Sequence, residues 1–208
     1  MMERGHDTKE RILDTSQALI LENGFAATSL HNILKTTGVT KGAFFHHFDS
    51  KADLAHTLIR RFAADDFAMF DEWDRRADAL TDDPLQALML FLKFFEEWID
   101  GLSKPFAGCM FAVYVYESAL FSNDVNDFVK QSLEHWQRYY RKKFAAIIAV
   151  RPPKLEVRAA ELAEMIVAIL EGAFILSRSS GQPELISRQS RLFRGYIKLL
   201  FEEPQATA

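Results

Sequence analysis

Apolar residues recur at helical spacing along most of the chain, and short polar or Gly- and Pro-containing stretches separate the apolar segments. In residues 84–100, Leu85, Leu88 and Leu92 share one stripe, at the three- and four-residue spacing of a core-facing helix. Residues 109–120 are almost wholly apolar and also fit a buried strand, but the sequence offers no second strand to pair with them. We therefore predict an all-α protein with about nine helices.

Capping residues and helix breakers place the helix boundaries. Asp7 or Thr8 can cap the first helix, and Gly24 is suited to end it. The acidic stretch at residues 71–84 (DEWDRRADALTDDP) predicts a loop or a frayed helix end after the fourth helix. Outside the central motif described next, the predicted helices cover residues 8–23, 50–70, 84–100, 109–120, 123–150, 155–177 and 183–202.

Residues 28–51 have the pattern of two short helices joined by a tight turn. Thr28 or Ser29 can cap the first helix, because a side-chain hydroxyl accepts from the free N–H groups of the first turn. Gly38 suits the turn, since glycine adopts a left-handed conformation without a Cβ clash. Thr40 can then cap the second helix.

The second helix of this motif would carry Lys41, Gly42 and Ala43 in its first turn. Small residues let the helix N-terminus approach another surface closely, and the positive end of the helix dipole favours phosphate. This is the chemistry of a helix-turn-helix whose second helix enters the DNA major groove. A structural helical hairpin, in which Gly38 is only a cap, is the alternative that the spacing leaves open.

Several residues in and around the motif stand at fixed positions: Thr28, Ile33, Gly38-Val39-Thr40-Lys41-Gly42, Phe45, His47-Phe48, Lys51 and Leu54. Their order and spacing resemble the signature of the TetR family of transcriptional repressors. The chain departs from the family pattern where Thr37 replaces an alanine, Thr40 a serine and Phe45 a tyrosine. In the family that tyrosine hydroxyl often reaches a DNA phosphate, a contact that Phe45 cannot make. Beyond this N-terminal part, the resemblance is limited to the helical organisation.

The resemblance implies an N-terminal three-helix helix-turn-helix DNA-binding domain over residues 1–52 and a C-terminal helical ligand-binding and dimerisation domain over residues 53–208. The last two predicted helices have broad apolar stripes, and the small residues Ala168, Gly172 and Ala173 permit close helix approach. We predict that this pair forms half of a four-helix homodimer interface. The alternative is that both helices only cover the core of their own chain. A dimer would present two motifs to successive major grooves of a palindromic, double-stranded operator.

The expected DNA contacts are centred on Lys41, which can bind a phosphate or a guanine. His46 is expected to point outward from the second helix, and Thr28 and Lys51, each at a helix start, suit phosphate contacts that position the motif. Phe45 is also consistent with packing. The predicted DNA-binding set is Thr28, Thr40, Lys41, Gly42, Ala43, Phe45, His46 and Lys51.

The high phenylalanine content, 18 residues against 5 tyrosines and 3 tryptophans, suggests an aromatic-lined interior that can hold a small-molecule effector. Aromatic residues at helical spacing are equally consistent with a simple core. Glu117 and Arg178 lie in or beside apolar stretches and can pair with each other or with a ligand, although Arg178 also fits an exposed helix end. The predicted ligand-binding set is Phe91, Phe95, Trp98, Cys109, Phe111, Tyr114, Glu117, Trp136, Phe174 and Arg178.

Cys109 follows Gly108 at a predicted helix N-terminus, where the helix dipole lowers a thiol pKa and favours the thiolate. Some TetR-like repressors sense electrophiles with such a cysteine, and an inert buried cysteine is the alternative. Because the chain has one cysteine, an intrachain disulfide and a multi-cysteine metal site are excluded. No metal site and no cofactor are predicted.

The net charge of −4 argues against indiscriminate nucleic-acid binding, but residues 1–60 are neutral, with seven Lys or Arg and seven Asp or Glu. This distribution favours a specific DNA-binding protein over a coating protein. The sequence has no signal-peptide core and no apolar run near the ~20 residues that span a bilayer, so we expect a cytoplasmic protein.

A ligand-responsive transcriptional regulator is the leading functional hypothesis, with a repressor released by an apolar or amphipathic effector or by an electrophile. Activation would use the same DNA-binding motif. An enzyme is not predicted, because a Gly-rich phosphate loop, a Gly-x-Ser-x-Gly elbow and metal-ligand spacing are missing from the sequence. The alternative is a helical protein–protein adaptor without DNA binding.

Overall fold

The computed structural model describes the backbone of residues 2–201 and the side chains of residues 8–201. Over these residues the chain forms nine α-helices and one 3₁₀ turn, with no strand, which confirms the all-α prediction. The helices are α1 (Met2–Asn23), α2 (Leu30–Thr37), α3 (Lys41–His47), α4 (Lys51–Asp78), α5 (Pro84–Asp100), α6 (Met110–Tyr116), α7 (Asn123–Val150), α8 (Ala159–Ser180) and α9 (Leu185–Phe201), and the 3₁₀ turn (Ser118–Leu120) lies between α6 and α7.

Two boundary predictions at the N-terminal side are wrong. Asp7 and Thr8 lie inside α1, which begins at Met2, so neither residue caps it. The acidic stretch predicted to be a loop or a frayed helix end continues α4 as far as Asp78, and only residues 79–83 connect α4 to α5. The helix continues because Trp73 and Ala77 in this stretch are buried. They extend the apolar stripe of α4 past the acidic residues.

The later boundaries differ by smaller amounts. The segment predicted as one helix over residues 109–120 is divided into α6 and the 3₁₀ turn, and α8 begins at Ala159 instead of residue 155. Pro84 occupies the first turn of α5, whose N-cap Asp83 accepts from the Leu85 N–H at 2.9 Å. The predicted end of α9 at residue 202 lies outside the described residues.

The chain divides into two compact units that are not continuous in sequence. The first comprises the chain up to Asp66 together with Ala107–Ser132, and the second comprises Phe67–Phe106 together with the chain from Leu133 onward. The division does not coincide with the predicted boundary between residues 52 and 53. The assignment of separate DNA-binding and ligand-binding domains by function stays a prediction.

The core of the first unit joins α1, α2 and α3 to the start of α4. Fully buried side chains from each helix fill it, including Ile12, Ile33, Phe44 and Leu58. At its edge Arg61 of α4 donates to acceptors on α1, at 3.0 Å to Glu10, 2.8 Å to Asp14 and 3.0 Å to Gln17. Apolar packing therefore holds the four helices together, and the Arg61 guanidinium also links α1 to α4.

The second unit is built around α5, whose apolar residues cover most of the helix circumference. Phe91 and Leu92 are completely buried there, and the rings of Phe70 and Trp136 stack with their centroids 5.6 Å apart. Glu96 is a charged group in this core: it is 4% exposed, forms a salt bridge with Arg194 at 2.9 Å and accepts from the Ser190 hydroxyl at 2.9 Å. A buried carboxylate requires such partners to offset its lost hydration.

Candidate nucleic-acid interface

The N-terminal end of α3 is set by the turn that precedes it. Gly38 ends α2 in the left-handed region with φ 67°, a conformation that favours glycine. Thr40 is extended and its hydroxyl accepts from the Ala43 N–H at 3.2 Å, as expected for an N-cap. At α2, Ser29 is the cap rather than Thr28, and accepts from the Asn32 N–H at 3.1 Å.

Two buried phenylalanines hold α3 against the rest of the first unit and determine which face of α3 is exposed. Phe44 and Phe48 are buried with their ring centroids 5.5 Å apart, and Val39 is buried beside the turn. The opposite face consists of exposed residues, namely Thr40, Lys41, Gly42, Phe45 and His46. Five of the eight predicted DNA-binding residues thus share one outward face.

The first turn of α3 is sterically open. A Cβ built on Gly42 would meet no heavy atom within 4 Å, so no internal contact of the described chain requires a glycine there. Lys41 is exposed and its Nζ lies 5.9 Å from the centroid of the Phe45 ring. Ala43, half-buried, completes the turn. A flat surface can therefore approach the free N–H groups of this helix end closely.

Thr28 does not form part of this face, contrary to the prediction of a phosphate contact. It is 1% exposed, and its hydroxyl donates to the carbonyl oxygens of Gly24 at 2.7 Å and Leu19 at 3.2 Å. The side chain holds the end of α1 to the start of α2. Its position before a helix suggested a surface role, but both acceptors belong to another helix and its terminus.

Lys51 is also turned inward instead of reaching toward a phosphate. Its ammonium donates to the Phe25 carbonyl oxygen and lies 3.9 Å from the centroid of the Phe25 ring. Burial lowers the pKa of Lys51, and the nearby Glu117 carboxylate opposes that shift. In this structure Lys51 therefore stabilises the turn between α1 and α2, and a phosphate contact by its remaining N–H donors stays a prediction.

The two histidines at the end of α3 differ in their surroundings. His46 is exposed on the outward face, whereas His47 is half-buried. Burial lowers the pKa of His47, with further lowering by His46 and Lys9, so His47 is predominantly neutral at pH 7. It therefore adds little positive charge to the interface at that pH.

The predicted ligand-binding residues are divided between the two units. Cys109, Phe111, Tyr114 and Glu117 belong to the first unit, and the other six belong to the second. Phe111 and Tyr114 are completely buried, and Cys109 is 5% exposed. Glu117 accepts from the Ala26 N–H at 2.8 Å, so this carboxylate has a hydrogen-bond partner without pairing with Arg178. Sequence reasoning missed this contact because it joins residues 91 positions apart.

In the second unit, the predicted ligand-binding residues lie mainly in or against the core. Phe91, Phe95 and Trp136 are buried, which agrees with the alternative of a simple aromatic core. Trp98 and Phe174 are half-buried, and each ring contacts Phe106, with centroid separations of 5.6 Å and 4.8 Å. Arg178 is exposed near the end of α8, as the sequence also allowed. A ligand contact by any of them stays a prediction.

The second unit also carries a groove of about 530 Å³ between α4, the start of α5 and α7. None of the predicted ligand-binding residues lines it, and its charged lining includes Asp71, Asp74, Asp78, Lys142 and Lys143. Among residues 8–201, no cluster of three or more His, Cys, Asp or Glu side chains could hold a metal ion. Within residues 2–201, no helix combines the length and apolar character needed to cross a bilayer.

Two protein families match this chain, one in its N-terminal part and one in its C-terminal part. Residues 12–58 match the family described as bacterial regulatory proteins of the tetR family. Residues 84–191 match the C-terminal domain of transcriptional regulators described as LmrA/YxaF-like. The second match alone covers more than half of the 208 residues.

Individual relatives agree with this assignment. The uncharacterized HTH-type transcriptional regulator YxaF of Bacillus subtilis is 25% identical over 178 residues, which are 85% of this chain and 87% of the relative. The HTH-type transcriptional repressor NemR of Escherichia coli K12 is 41% identical over 59 residues, 28% of this chain and 30% of NemR.

A crystal structure gives the same fold. It is a TetR-family transcriptional regulator from Agrobacterium tumefaciens, with a TM-score of 0.78 and 21% identity over 95% of this chain and 99% of that one. The helix-turn-helix that the structure builds from Ser29, Gly38 and Thr40 lies within the residues that match the tetR family. The chain belongs to the TetR family of DNA-binding transcriptional regulators.

Proposed function

We propose that the protein is a repressor that binds a palindromic operator as a homodimer and is released by a small apolar or amphipathic effector. The observation that carries this proposal is the open N-terminal turn of α3, with Lys41 and Gly42 exposed and Phe44 anchoring the helix from behind. A rigid helix end with donors and no obstructing side chain suits insertion into a major groove.

Homodimer formation is supported by unpartnered apolar residues on α8 and α9. Leu192 is 62% exposed and Leu199 is 77% exposed on α9, and Leu176 is 53% exposed on α8. The small exposed residues Ala168 and Gly195 lie on the same two helices. Exposed leucines beside small residues favour close packing against a second copy, in an isologous four-helix interface.

The dimer sets the geometry of the DNA site. Two copies of α3 related by a twofold axis contact two half-sites about 34–36 Å apart, one helical turn of DNA, or a multiple of it. The operator is then palindromic, and its affinity falls steeply with salt because lysines displace counterions from phosphates.

Release by an apolar effector is supported by the aromatic interior of the second unit, where Trp98, Phe106 and Phe174 are half-buried and the Phe106 ring contacts the other two. The effector must bind the released state more tightly than the DNA-bound state. An electrophilic effector is less well supported, because Cys109 is 5% exposed and an electrophile must reach its thiol.

A purified transcription system tests repression and dimerisation together. Transcription from a promoter that contains the bound DNA site should fall when wild-type protein is added, and Leu199→Glu should abolish this effect. Leu80→Glu, which changes another leucine that is 65% exposed, serves as the control and should repress normally. Increased transcription with the wild-type protein would instead indicate an activator.

A further inference from the structure

One peptide group in the turn between α1 and α2 is held at both ends by charged side chains. The Phe25 carbonyl oxygen accepts from the Lys51 ammonium, and the Ala26 N–H donates to Glu117 Oε2 at 2.8 Å. Both contacts are charge-assisted hydrogen bonds. The ammonium binds the negative end of the peptide dipole and the carboxylate binds its positive end, so each bond strengthens the other. Lys51 and Glu117 lie 26 and 91 residues from the groups that they bind, and they meet this peptide only in the folded first unit.

The second carboxylate oxygen of Glu117 fits against Gly24. This glycine is left-handed with φ 84°, and a Cβ built on it would lie 2.5 Å from Glu117 Oε1. The carboxylate therefore occupies the space that any other residue at position 24 would fill. The turn and the Glu117 side chain are complementary in shape as well as in charge.

The segment that carries Glu117 is fixed to the same unit by contacts of its own. The Tyr114 hydroxyl donates to the Ala55 carbonyl oxygen at 2.7 Å, and the Tyr114 ring stacks on Phe121 with centroids 4.2 Å apart. Phe121 in turn contacts Phe25, at 4.7 Å between centroids. Glu117 is thus presented to the turn by a packed aromatic support that does not depend on its charge.

We propose that Glu117 is a positioning residue for DNA binding, which fixes the Phe25–Ala26 peptide from one side while Lys51 fixes it from the other. The turn leads directly into Ser29, the cap of α2, and through Gly38 to α3. A displaced turn would shift the whole helix-turn-helix relative to α1 and α4. This inference rests on the proposed function, because the property that Glu117 supports is operator affinity.

The inference predicts a specific pattern in operator titrations at fixed salt. Glu117→Ala should weaken binding by about tenfold. Glu117→Gln, whose amide oxygen can still accept from Ala26, should lose less. Asp127→Asn removes a negative charge from an exposed position of the same unit and should not weaken binding. The salt dependence should be unchanged in all three, because no phosphate contact is removed.

Amide hydrogen exchange of the DNA-free protein provides a readout that a general loss of stability would not reproduce. The Ala26 N–H should exchange faster in Glu117→Ala and to a smaller extent in Glu117→Gln, while core amides of α4 keep the wild-type rate. Combining Glu117→Ala with Lys51→Met should weaken operator binding less than the two single effects together.

Three results would overturn the inference. One is equal operator affinity for Glu117→Ala and Asp127→Asn, and another is tighter binding by Glu117→Gln, which would make Glu117 a restraint on Lys51. The third is an exchange rate of the Ala26 N–H that is the same as wild type in both Glu117 variants. This rate can be measured even where a variant is too unstable for operator titration. If the wild-type protein bound no operator, the proposed function itself would be overturned. That result is distinguishable from the three above, in which the wild-type protein binds.

Discussion

Phe44 and Phe45 are adjacent on α3, and their side chains have opposite environments. Phe44 is completely buried, whereas Phe45 is 42% exposed, and their rings meet edge to face with centroids 5.4 Å apart. The pair divides the helix into a face that packs and a face that is free to contact a partner. This division is the structural basis of the DNA-binding proposal.

Substitution of Phe45 by tyrosine should tighten operator binding by about two- to tenfold, since the added hydroxyl can donate to a phosphate. Equilibrium titration of a labelled operator measures the change. Phe44→Tyr is the matched control, because it places a hydroxyl in the core and should lower the free energy of unfolding by about 1–3 kcal/mol. Equal or weaker binding by Phe45→Tyr would show that this face is not near a phosphate.

Substitution of Lys41 by alanine should weaken operator binding by about tenfold or more and reduce the slope of log affinity against log salt by about 1. Titrations at four or more salt concentrations give both quantities. Lys142→Ala removes the same charge from an exposed site in the second unit and should leave both unchanged. A similar loss in both variants would point to net charge instead of a local contact.

Substitution of Leu199 by glutamate should convert the dimer into a monomer while the protein stays folded, because the leucine is 77% exposed in the described chain. Sedimentation velocity at micromolar protein gives the oligomeric state, and circular dichroism gives the helix content. Leu80→Glu should stay dimeric. A dimeric Leu199→Glu variant would place the interface elsewhere.

Removal of the Tyr114 hydroxyl by substitution with phenylalanine should lower the free energy of unfolding by about 1 kcal/mol, because the buried hydrogen bond to Ala55 is lost. Urea denaturation measures this difference. Tyr116→Phe changes a residue that is 78% exposed and should have no effect beyond about 0.5 kcal/mol. Matching values for the two variants would contradict the packing described for α6.

The buried carboxyl of Glu96 should make stability depend on pH. Burial raises the pKa of Glu96, against the opposing effects of Ser190 and Arg194. A folded-state pKa above the unfolded value means that the contribution of Glu96 to stability is fully present below the unfolded pKa. That contribution is lost as pH rises through the folded pKa.

The side chain introduced by Glu96→Gln does not titrate, so this variant should not lose stability in this way as pH rises. The free energy of unfolding of Glu96→Gln minus that of wild type should therefore increase as pH rises from about 4 to 7. Glu97→Gln, which changes the neighbouring exposed carboxylate, is the control, and denaturation at several pH values gives the comparison. A difference that falls with pH would mean that Arg194 and Ser190 outweigh burial.

The motif could be predicted from sequence because its signals are local. Ser29, Gly38 and Thr40 act on backbone groups within a few residues of themselves, so capping rules identified the turn and both helix starts. The end of α4 was missed because its acidic residues obscured a buried stripe that continues through Trp73 and Ala77. Composition described the exposed side of that helix, whereas packing determined its length.

The roles of Thr28, Lys51 and Glu117 could not be predicted, because each depends on a contact across the fold. Lys51 reaches a carbonyl 26 residues earlier, and Glu117 reaches an N–H 91 residues earlier. A charged residue at a helix start is compatible with either a surface contact or an internal one. Only the three-dimensional arrangement of α1, α4 and α6 distinguishes the two.

Selection of bound DNA from a random duplex pool, at near-physiological salt and with Lys41→Ala in parallel, tests the central claim most directly. A palindromic motif with two half-sites that is enriched by the wild-type protein and lost with Lys41→Ala is the result that we predict. Enrichment of no motif by a folded, dimeric protein would contradict the account. A helical protein–protein adaptor would then be the better description of the chain.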